Sequence, residues 1–432
     1  MISSSSARTV TAPTAPAAQA AAPGERSAAR AAASVAQATQ ATRAAVSVAQ
    51  VARFAAQAAA PVVQSAARVV RSADPAAGPV PRGAGPAPYP VVVGHGLAGD
   101  LNRLLGEHAL KVALVHPPAL AADAARVTGE LERHGRQVVP LPVPAGESAK
   151  DAGVLVYLWT CLAQAGLTGS DAVVALGGGA TADLAGVLAA TWQGGIRLVL
   201  APSTLLGMVG AADGGRGALN IPQGKDLVGV RHQPAGVVCD LDLLRTVPPA
   251  DHLGGLAEVV KTALVADPDL LDPIEADPRA ATDPGSDLTA ELLERSIRLR
   301  AGLVAGTDGP GGRAFLGYGH TLAHALEHTE GYRVRHGHAL SVGMVYAAEL
   351  ARAAGRLADH HVARHRGVLE ALGLPTSHPR HAWERLNAAL STDGRSRARR
   401  LSLVVLDAPG RPALLDNPDP ALLHAAYTRV AR

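Results

Sequence analysis

Glu258 and Lys261 stand three residues apart in a stretch, 251–265, whose apolar residues recur with helical spacing. That spacing puts a carboxylate and an ammonium on one helix face. Downstream, Gly319-His-Thr-Leu-Ala-His324 places His320 and His324 at i and i+4. His328 continues that face, and Arg335-His-Gly-His338 adds His336 and His338. One carboxylate with two imidazoles, leaving coordination positions open, is the donor set of a hydrolase- or lyase-type zinc site. With 17 histidines in the chain, spacing does not decide which imidazoles bind. Glycines at 317 and 319, just before the helix start, favour His320, whereas His328 and His338 suit surface or core roles equally well.

The chain has only four lysines, Lys111, Lys150, Lys225 and Lys261, and almost all its other positive charge is arginine. A lysine ammonium is compact and titratable, and a guanidinium cannot replace it where a proton must move. Each surviving lysine is therefore a candidate for chemistry. Pro144-Ala-Gly-Glu-Ser-Ala-Lys150 sets a turn, an acid and a lysine just past a strand end, which suits ribose hydroxyls and phosphates. Ala172-Val-Val-Ala-Leu-Gly-Gly-Gly-Ala-Thr-Ala-Asp183 is a buried-strand pattern running through three glycines into a helix. Such glycines allow close backbone approach, and the helix N-terminus offers N–H groups and a positive dipole end to a pyrophosphate. The triple glycine lacks the fixed spacing of the dinucleotide fingerprint, so on this segment alone a tight turn that binds nothing reads almost as well.

The elements that must position these residues change character along the chain. Residues 1–88 are rich in Ala, Ser, Val, Pro and Thr, with scattered Arg and almost no acid. An Ala-rich helix over 27–72 would lack an apolar stripe, so the stretch reads as a flexible tail: a compositionally biased extension or a start codon placed too early. Its Arg- and Ser-rich, acid-poor composition is also that of an organelle transit peptide. From Tyr89 onward, short β-branched runs at Tyr89–Val93, Lys111–His116, Gln137–Pro140, Ala172–Leu176, Arg197–Ala201 and Gly236–Asp240 alternate with amphipathic stretches. That alternation predicts an α/β domain with a mostly parallel sheet over 89–247. Beyond Pro248 the segments 251–265, 288–305, 319–329, 338–356 and 360–372 read helical, with Leu401–Leu406 the one strand-like exception. A mainly helical domain over 248–432 follows, and its join with the sheet is a natural cleft.

Composition bounds the function. A net charge of +3 and 3% aromatic residues give little support for nucleic-acid binding. No apolar run approaches the roughly 18 residues of a membrane span. Cys161 and Cys239 match no zinc or redox spacing, so a reduced cytoplasm is the simplest home.

Taken in order from about Pro90 to the C-terminus, the segments Gly177–Gly186, Arg197–Met208, Gly224–Gln233, Gly254–Lys261, Arg313–Glu327 and His336–Met344 resemble 3-dehydroquinate synthase, the NAD- and metal-dependent cyclase of the shikimate pathway. The resemblance implies Glu258, His320 and His336 as ligands of a zinc or cobalt ion, with His324 and Lys261 catalytic. It implies that Lys225, Arg313, Arg216 and Arg300 bind an anionic sugar-acid phosphate. It sets NAD against Gly146, Glu147, Lys150, Gly178, Gly179, Asp183, Ser203, Thr204, Arg216, Lys225, Leu244 and Thr246. It further implies a homodimer and a substrate, 3-deoxy-arabino-heptulosonate 7-phosphate, that undergoes transient oxidation, β-elimination of phosphate, reduction and intramolecular aldol closure.

The substrate shell departs from the family pattern. Gly194 stands where the family usually has an arginine, Gly210 where it has an acid, and Gly317 where it has an asparagine. Arg216 and Arg300 replace lysines, and Asp226 replaces an asparagine, setting a negative charge beside anionic substrate groups. A lost charge-assisted hydrogen bond often costs about 1.5–3 kcal/mol. Three readings therefore stand at this point: a working 3-dehydroquinate synthase; a related sugar phosphate cyclase or NAD-linked polyol-phosphate dehydrogenase; and a catalytically impaired paralogue kept as a binding partner. Asp213, three residues from Gly210, compensates in part if its loop brings it into place.

Overall fold

The computed structural model describes residues 89–221, 224–305, 312–390 and 401–432. The predicted tail at 1–88 lies outside the described residues. Six strands form one sheet: β1 (Val91–Gly94), β2 (Lys111–His116), β3 (Gln137–Pro142), β4 (Ala172–Gly177), β5 (Arg197–Pro202) and, later in the chain, β8 (Gly236–Asp240). Their order is β1-β8-β5-β4-β2-β3 and every pairing is parallel. β4 and β8 are buried at every residue. Helices cover both faces of a parallel sheet, so its strands read as continuous apolar runs. The strand order reverses between β2 and β4. In open α/β sheets the crevice beyond the strand ends at such a reversal is where ligands sit.

Between β5 and β8 the chain makes an antiparallel ribbon, β6 (Arg216–Ile221) with β7 (Gly224–Arg231), which packs on the helix Gly179–Thr191. The sequence did not announce this ribbon. Glycine and charge interrupt the period-2 pattern in Gly224-Lys-Asp-Leu-Val-Gly-Val-Arg231, and packing on the helix supplies what propensity lacks.

After β8 the chain becomes helical. The helices Pro249–Ala266, Asp287–Ala305, His320–Thr329, His336–Ala353 and Asp359–Ala371 fall within a few residues of the predicted segments. Trp383–Leu390 and Pro420–Val430 are further helices, and the late apolar run becomes β9 (Ser402–Ala408), paired antiparallel with β10 (Arg411–Asp416). One apolar cluster runs without a break from the sheet (Val92, Val238) into the helices (Leu256, Val260, Leu340, Met344). No helix among the described residues is long and apolar enough to cross a membrane.

Candidate active site

The helix Pro249–Ala266 starts on a proline, whose fixed φ and missing N–H suit a first turn, and is buried along most of its length. Two of its charged side chains, Glu258 and Lys261, therefore point into protein. Glu258 is 4% exposed and Lys261 1%. One turn before Glu258, Gly254 meets Gly337, the neighbour of His336; a Cβ on Gly337 would lie 2.2 Å from the Gly254 Cα. At the other end of the site Gly319, with φ of 77°, precedes His320, and a Cβ on Gly343 would lie 2.1 Å from its carbonyl oxygen. These glycines let three helices meet closely enough to share one point.

At that point one ligand atom from each of Glu258, His320 and His336 lies within 4.8 Å of the others. The Glu258 Oε1 atom is 3.4 Å from His320 Nε2 and 3.6 Å from His336 Nε2. Two bonds of ~2.1 Å at a tetrahedral angle leave donor atoms about 3.4 Å apart, so the spacing fits a zinc-sized ion. The far side of each ring is already engaged. His320 Nδ1–H lies 3.3 Å from the Tyr318 carbonyl, and His336 Nδ1–H donates to Glu327 Oε2 at 3.1 Å. Such partners favour the neutral tautomer whose Nε2 lone pair a metal would take. His324 packs beside the trio, its ring 5.5 Å from that of His320 and 6.3 Å from that of His336. His328 faces solvent. Helix crossing thus brings two of the imidazoles that linear spacing left open, His320 and His336, to Glu258.

The second carboxylate oxygen of Glu258 belongs to cations. Lys261 Nζ lies 2.5 Å and an Arg300 nitrogen 2.6 Å from Oε2. Burial disfavours the Glu258 carboxylate, but Lys261 and Arg300, with the two imidazoles, outweigh it and hold the carboxyl well below its usual range. Burial brings Lys261 down to about 8, opposed by Glu258 and helped by the Arg300 charge. Such an ammonium can give up a proton near neutral pH. Arg300 is itself buried against Asp213, Glu258 and Thr262. Arg313 donates to the backbone carbonyls of Asp213 and Gly214.

A second charged cluster links the sheet to this centre. The turn Gly146–Lys150 places Lys150, 1% exposed, where it donates to Asp183 at 2.6 Å and to Asp226 on β7. Burial opposes the Lys150 charge, yet Asp183, Asp226 and Glu147 raise its pKa. Asp226 in turn accepts from Arg216, 2.8 Å away. The aspartate was expected to repel an anionic substrate; instead Lys150 and Arg216 neutralise it and draw its carboxyl down against burial. Lys225, next along β7, lies 3.1 Å from Glu147 and 3.4 Å from Glu327. Since Glu327 also accepts from His336, one lysine joins the turn Gly146–Lys150 to the helix His320–Thr329.

The remaining predicted cofactor positions border the ends of β4, β5 and β8. Ser203 donates its N–H to Gly177, and Thr204 caps the helix Leu205–Val209 through Gly207 N–H at 3.1 Å. Gly178 faces Thr204, and a Cβ on Gly179 would meet open space, which leaves room beside the N-terminus of the helix Gly179–Thr191. Leu244 is buried, and the Thr246 hydroxyl donates to the Leu243 carbonyl. Sequence reasoning missed Glu327 as a partner of His336. Its spacing, seven residues after His320 on the same helix face, was the available signal.

A parallel sheet with a glycine turn at a strand end, leading into helices that gather a carboxylate and two imidazoles, is a fold this chain shares with several solved structures. A 2-deoxy-scyllo-inosose synthase complexed with carbaglucose-6-phosphate, NAD+ and Co2+ superposes with a TM-score of 0.71 at 23% identity, covering 84% of this chain and 100% of that one. The 2-epi-5-epi-valiolone synthase of Streptomyces hygroscopicus, with NAD+ and Zn2+ bound, gives 0.72 at 22%, covering 81% and 98%. A probable glycerol dehydrogenase from Sinorhizobium meliloti gives 0.57 at 16%, covering 78% and 94%.

Sequence comparison goes further than fold. Residues 140–253 match the 3-dehydroquinate synthase N-terminal family and residues 255–396 the 3-dehydroquinate synthase C-terminal family. The 3-dehydroquinate synthase of Thermobifida fusca is 51% identical over 80% of this chain and 94% of its own length. That of Streptomyces avermitilis is 48% identical over 79% and 95%. The chain belongs to the 3-dehydroquinate synthase family.

Proposed function

We propose that the protein converts 3-deoxy-arabino-heptulosonate 7-phosphate to 3-dehydroquinate and phosphate, using NAD and one zinc or cobalt ion held by Glu258, His320 and His336. The observation that carries the metal assignment is the near-tetrahedral spacing of one carboxylate oxygen and two Nε2 atoms whose rings are held from behind. The close similarity to full-length 3-dehydroquinate synthases supports the substrate.

When bound, the nucleotide supplies a reversible hydride acceptor and the ion a Lewis acid for a substrate hydroxyl. In this reading Lys261, buried against the Glu258 carboxylate, takes and returns the hydroxyl proton. His324, beside the ligand imidazoles, manages the proton at the departing phosphate. Arg313, Lys225 and Arg216 supply positive charge for the carboxylate and phosphate, and Arg300 backs the metal carboxylate. Gly146, Glu147, Lys150, Gly178, Gly179, Asp183, Ser203, Thr204, Leu244 and Thr246 border the nucleotide. The division near residue 247, a homodimeric assembly and a cytoplasmic location belong to the same proposal.

Gly194, Gly210 and Gly317 favour a second reading, a cyclase for another sugar phosphate, because each lacks a side chain that the resemblance leads one to expect in the substrate shell. Phosphate release separates the two. The purified protein with NAD+ and zinc or cobalt should release phosphate from the heptulosonate phosphate far faster than from glucose 6-phosphate or sedoheptulose 7-phosphate. Release from either of those and not from the heptulosonate would reverse the assignment.

A further inference from the structure

Arg300 is 3% exposed, and every nitrogen of its guanidinium is committed. Nε donates to Asp213 Oδ1 at 2.8 Å and one terminal nitrogen to Asp213 Oδ2, while the other terminal nitrogen reaches Glu258 Oε2 at 2.6 Å and the Thr262 hydroxyl at 3.3 Å. Asp213 therefore takes the paired donors of the fork, and Glu258 receives a single hydrogen bond on one oxygen. That oxygen is the one Lys261 also holds, so Oε1 is left facing the two imidazoles.

A guanidinium matches a carboxylate best when it donates to both oxygens at once. With no second acid beside it, a buried Arg300 would turn its paired donors onto both oxygens of Glu258 and compete with an ion for Oε1. Asp213 sits at the end of the turn Gly210–Asp213, and a Cβ built on Gly210 lies 4.0 Å from Asp213 Oδ2. A carboxylate carried by position 210 would thus come within reach of the place the Asp213 carboxylate occupies. We propose that Asp213 and Arg300 are positioning residues that hold Glu258 with one oxygen free for the ion, and that Asp213 delivers the carboxylate that Gly210 cannot. This rests on the metal site described above, and it accounts for the glycine at 210 and the arginine at 300 as one linked exchange rather than two losses.

Cobalt titration of the metal-free protein, followed by visible absorption and by the thermal midpoint before metal addition, tests it. Asp213→Asn should weaken cobalt binding about 10- to 100-fold, the usual effect of removing a partner that orients a ligand, and should alter the cobalt spectrum. Arg300→Lys, which keeps a buried charge but cannot bridge both acids, should also weaken binding. The double exchange Gly210→Asp with Asp213→Gly should recover most of the affinity that Asp213→Gly alone loses. Wild-type cobalt affinity and spectrum in Asp213→Asn and Arg300→Lys, even with a lowered thermal midpoint, would overturn the positioning role. A double exchange no better than Asp213→Gly would overturn the reach of position 210 to that place. If the wild-type protein binds no cobalt, the metal site itself falls, and that result is distinct from both.

Discussion

Replacing Gly337 and Gly254 with alanine, one at a time, should have opposite effects, although the two glycines touch each other. A Cβ on Gly337 would stand 2.2 Å from the Gly254 Cα, whereas a Cβ on Gly254 would have its nearest neighbour at an ordinary 3.7 Å. Carbon atoms settle at about 3.5 Å or more, so Gly337→Ala must drive the helices Pro249–Ala266 and His336–Ala353 apart by roughly 1.3 Å. Overpacking of this kind costs about 1–3 kcal/mol. The gain from removing a glycine is at most about 1 kcal/mol in a helix interior and less at the second residue of a helix. Strain wins at 337. At 254, in mid-helix with room for a methyl group, the gain of about 0.5–1 kcal/mol stands. Separation by 1.3 Å would also carry His336 Nε2 from 3.6 Å to nearly 5 Å from Glu258 Oε1, beyond the ~3.4 Å span of two metal bonds. Urea unfolding of the metal-free proteins and cobalt titration read both effects. Gly337→Ala should lower the unfolding midpoint and weaken cobalt binding at least tenfold; Gly254→Ala should raise the midpoint and leave cobalt binding intact. Equal behaviour of the two variants, or unimpaired cobalt binding by Gly337→Ala, would refute the claim that this crossing builds the site.

Glu258→Gln should abolish stoichiometric metal in elemental analysis and destabilise the protein by roughly 3–5 kcal/mol, because Lys261 and Arg300 lose the charge that pairs them. Glu327→Gln should weaken zinc binding about 10- to 100-fold while leaving the fold intact by circular dichroism, since His336 would lose its orienting carboxylate. In the metal-free protein, burial lowers the His336 pKa but Glu258 and Glu327 outweigh it and lift it to about 9, above the ~6.5 of an unfolded histidine. Its contribution to stability is therefore complete below about 6.5 and is lost as pH rises through 9. Metal binding needs the neutral ring, so zinc affinity should rise between pH 7 and 9 as metal-free stability falls; a pH-independent zinc affinity across that window would contradict the assignment.

Much of the fold is legible in the sequence because burial on two faces leaves its mark locally. Runs such as Lys111–His116 and Gly236–Asp240 have the strand boundaries that their β-branched residues suggest. The ribbon β6–β7 is not legible, since its stability comes from the helix beneath it and its strands carry glycine and charge. Within the site, Glu258 with Lys261 and His320 with His324 are readable from helical spacing alone. His336 is not, because its place beside Glu258 depends on the Gly254–Gly337 crossing of two helices distant in sequence. The consequence of Asp226 was likewise hidden: its neutralising partners, Lys150 and Arg216, come from a turn and a strand that only the folded chain brings together.

The most direct test is a cobalt titration of the metal-free protein under saturating NAD+ and 3-deoxy-arabino-heptulosonate 7-phosphate, with phosphate and NADH followed together. Phosphate release should rise in proportion to added metal and level off at one ion per chain, with no net NADH. Phosphate release indifferent to metal, or NADH accumulating mole for mole with substrate consumed, would contradict a cyclase whose single ion sits on Glu258, His320 and His336.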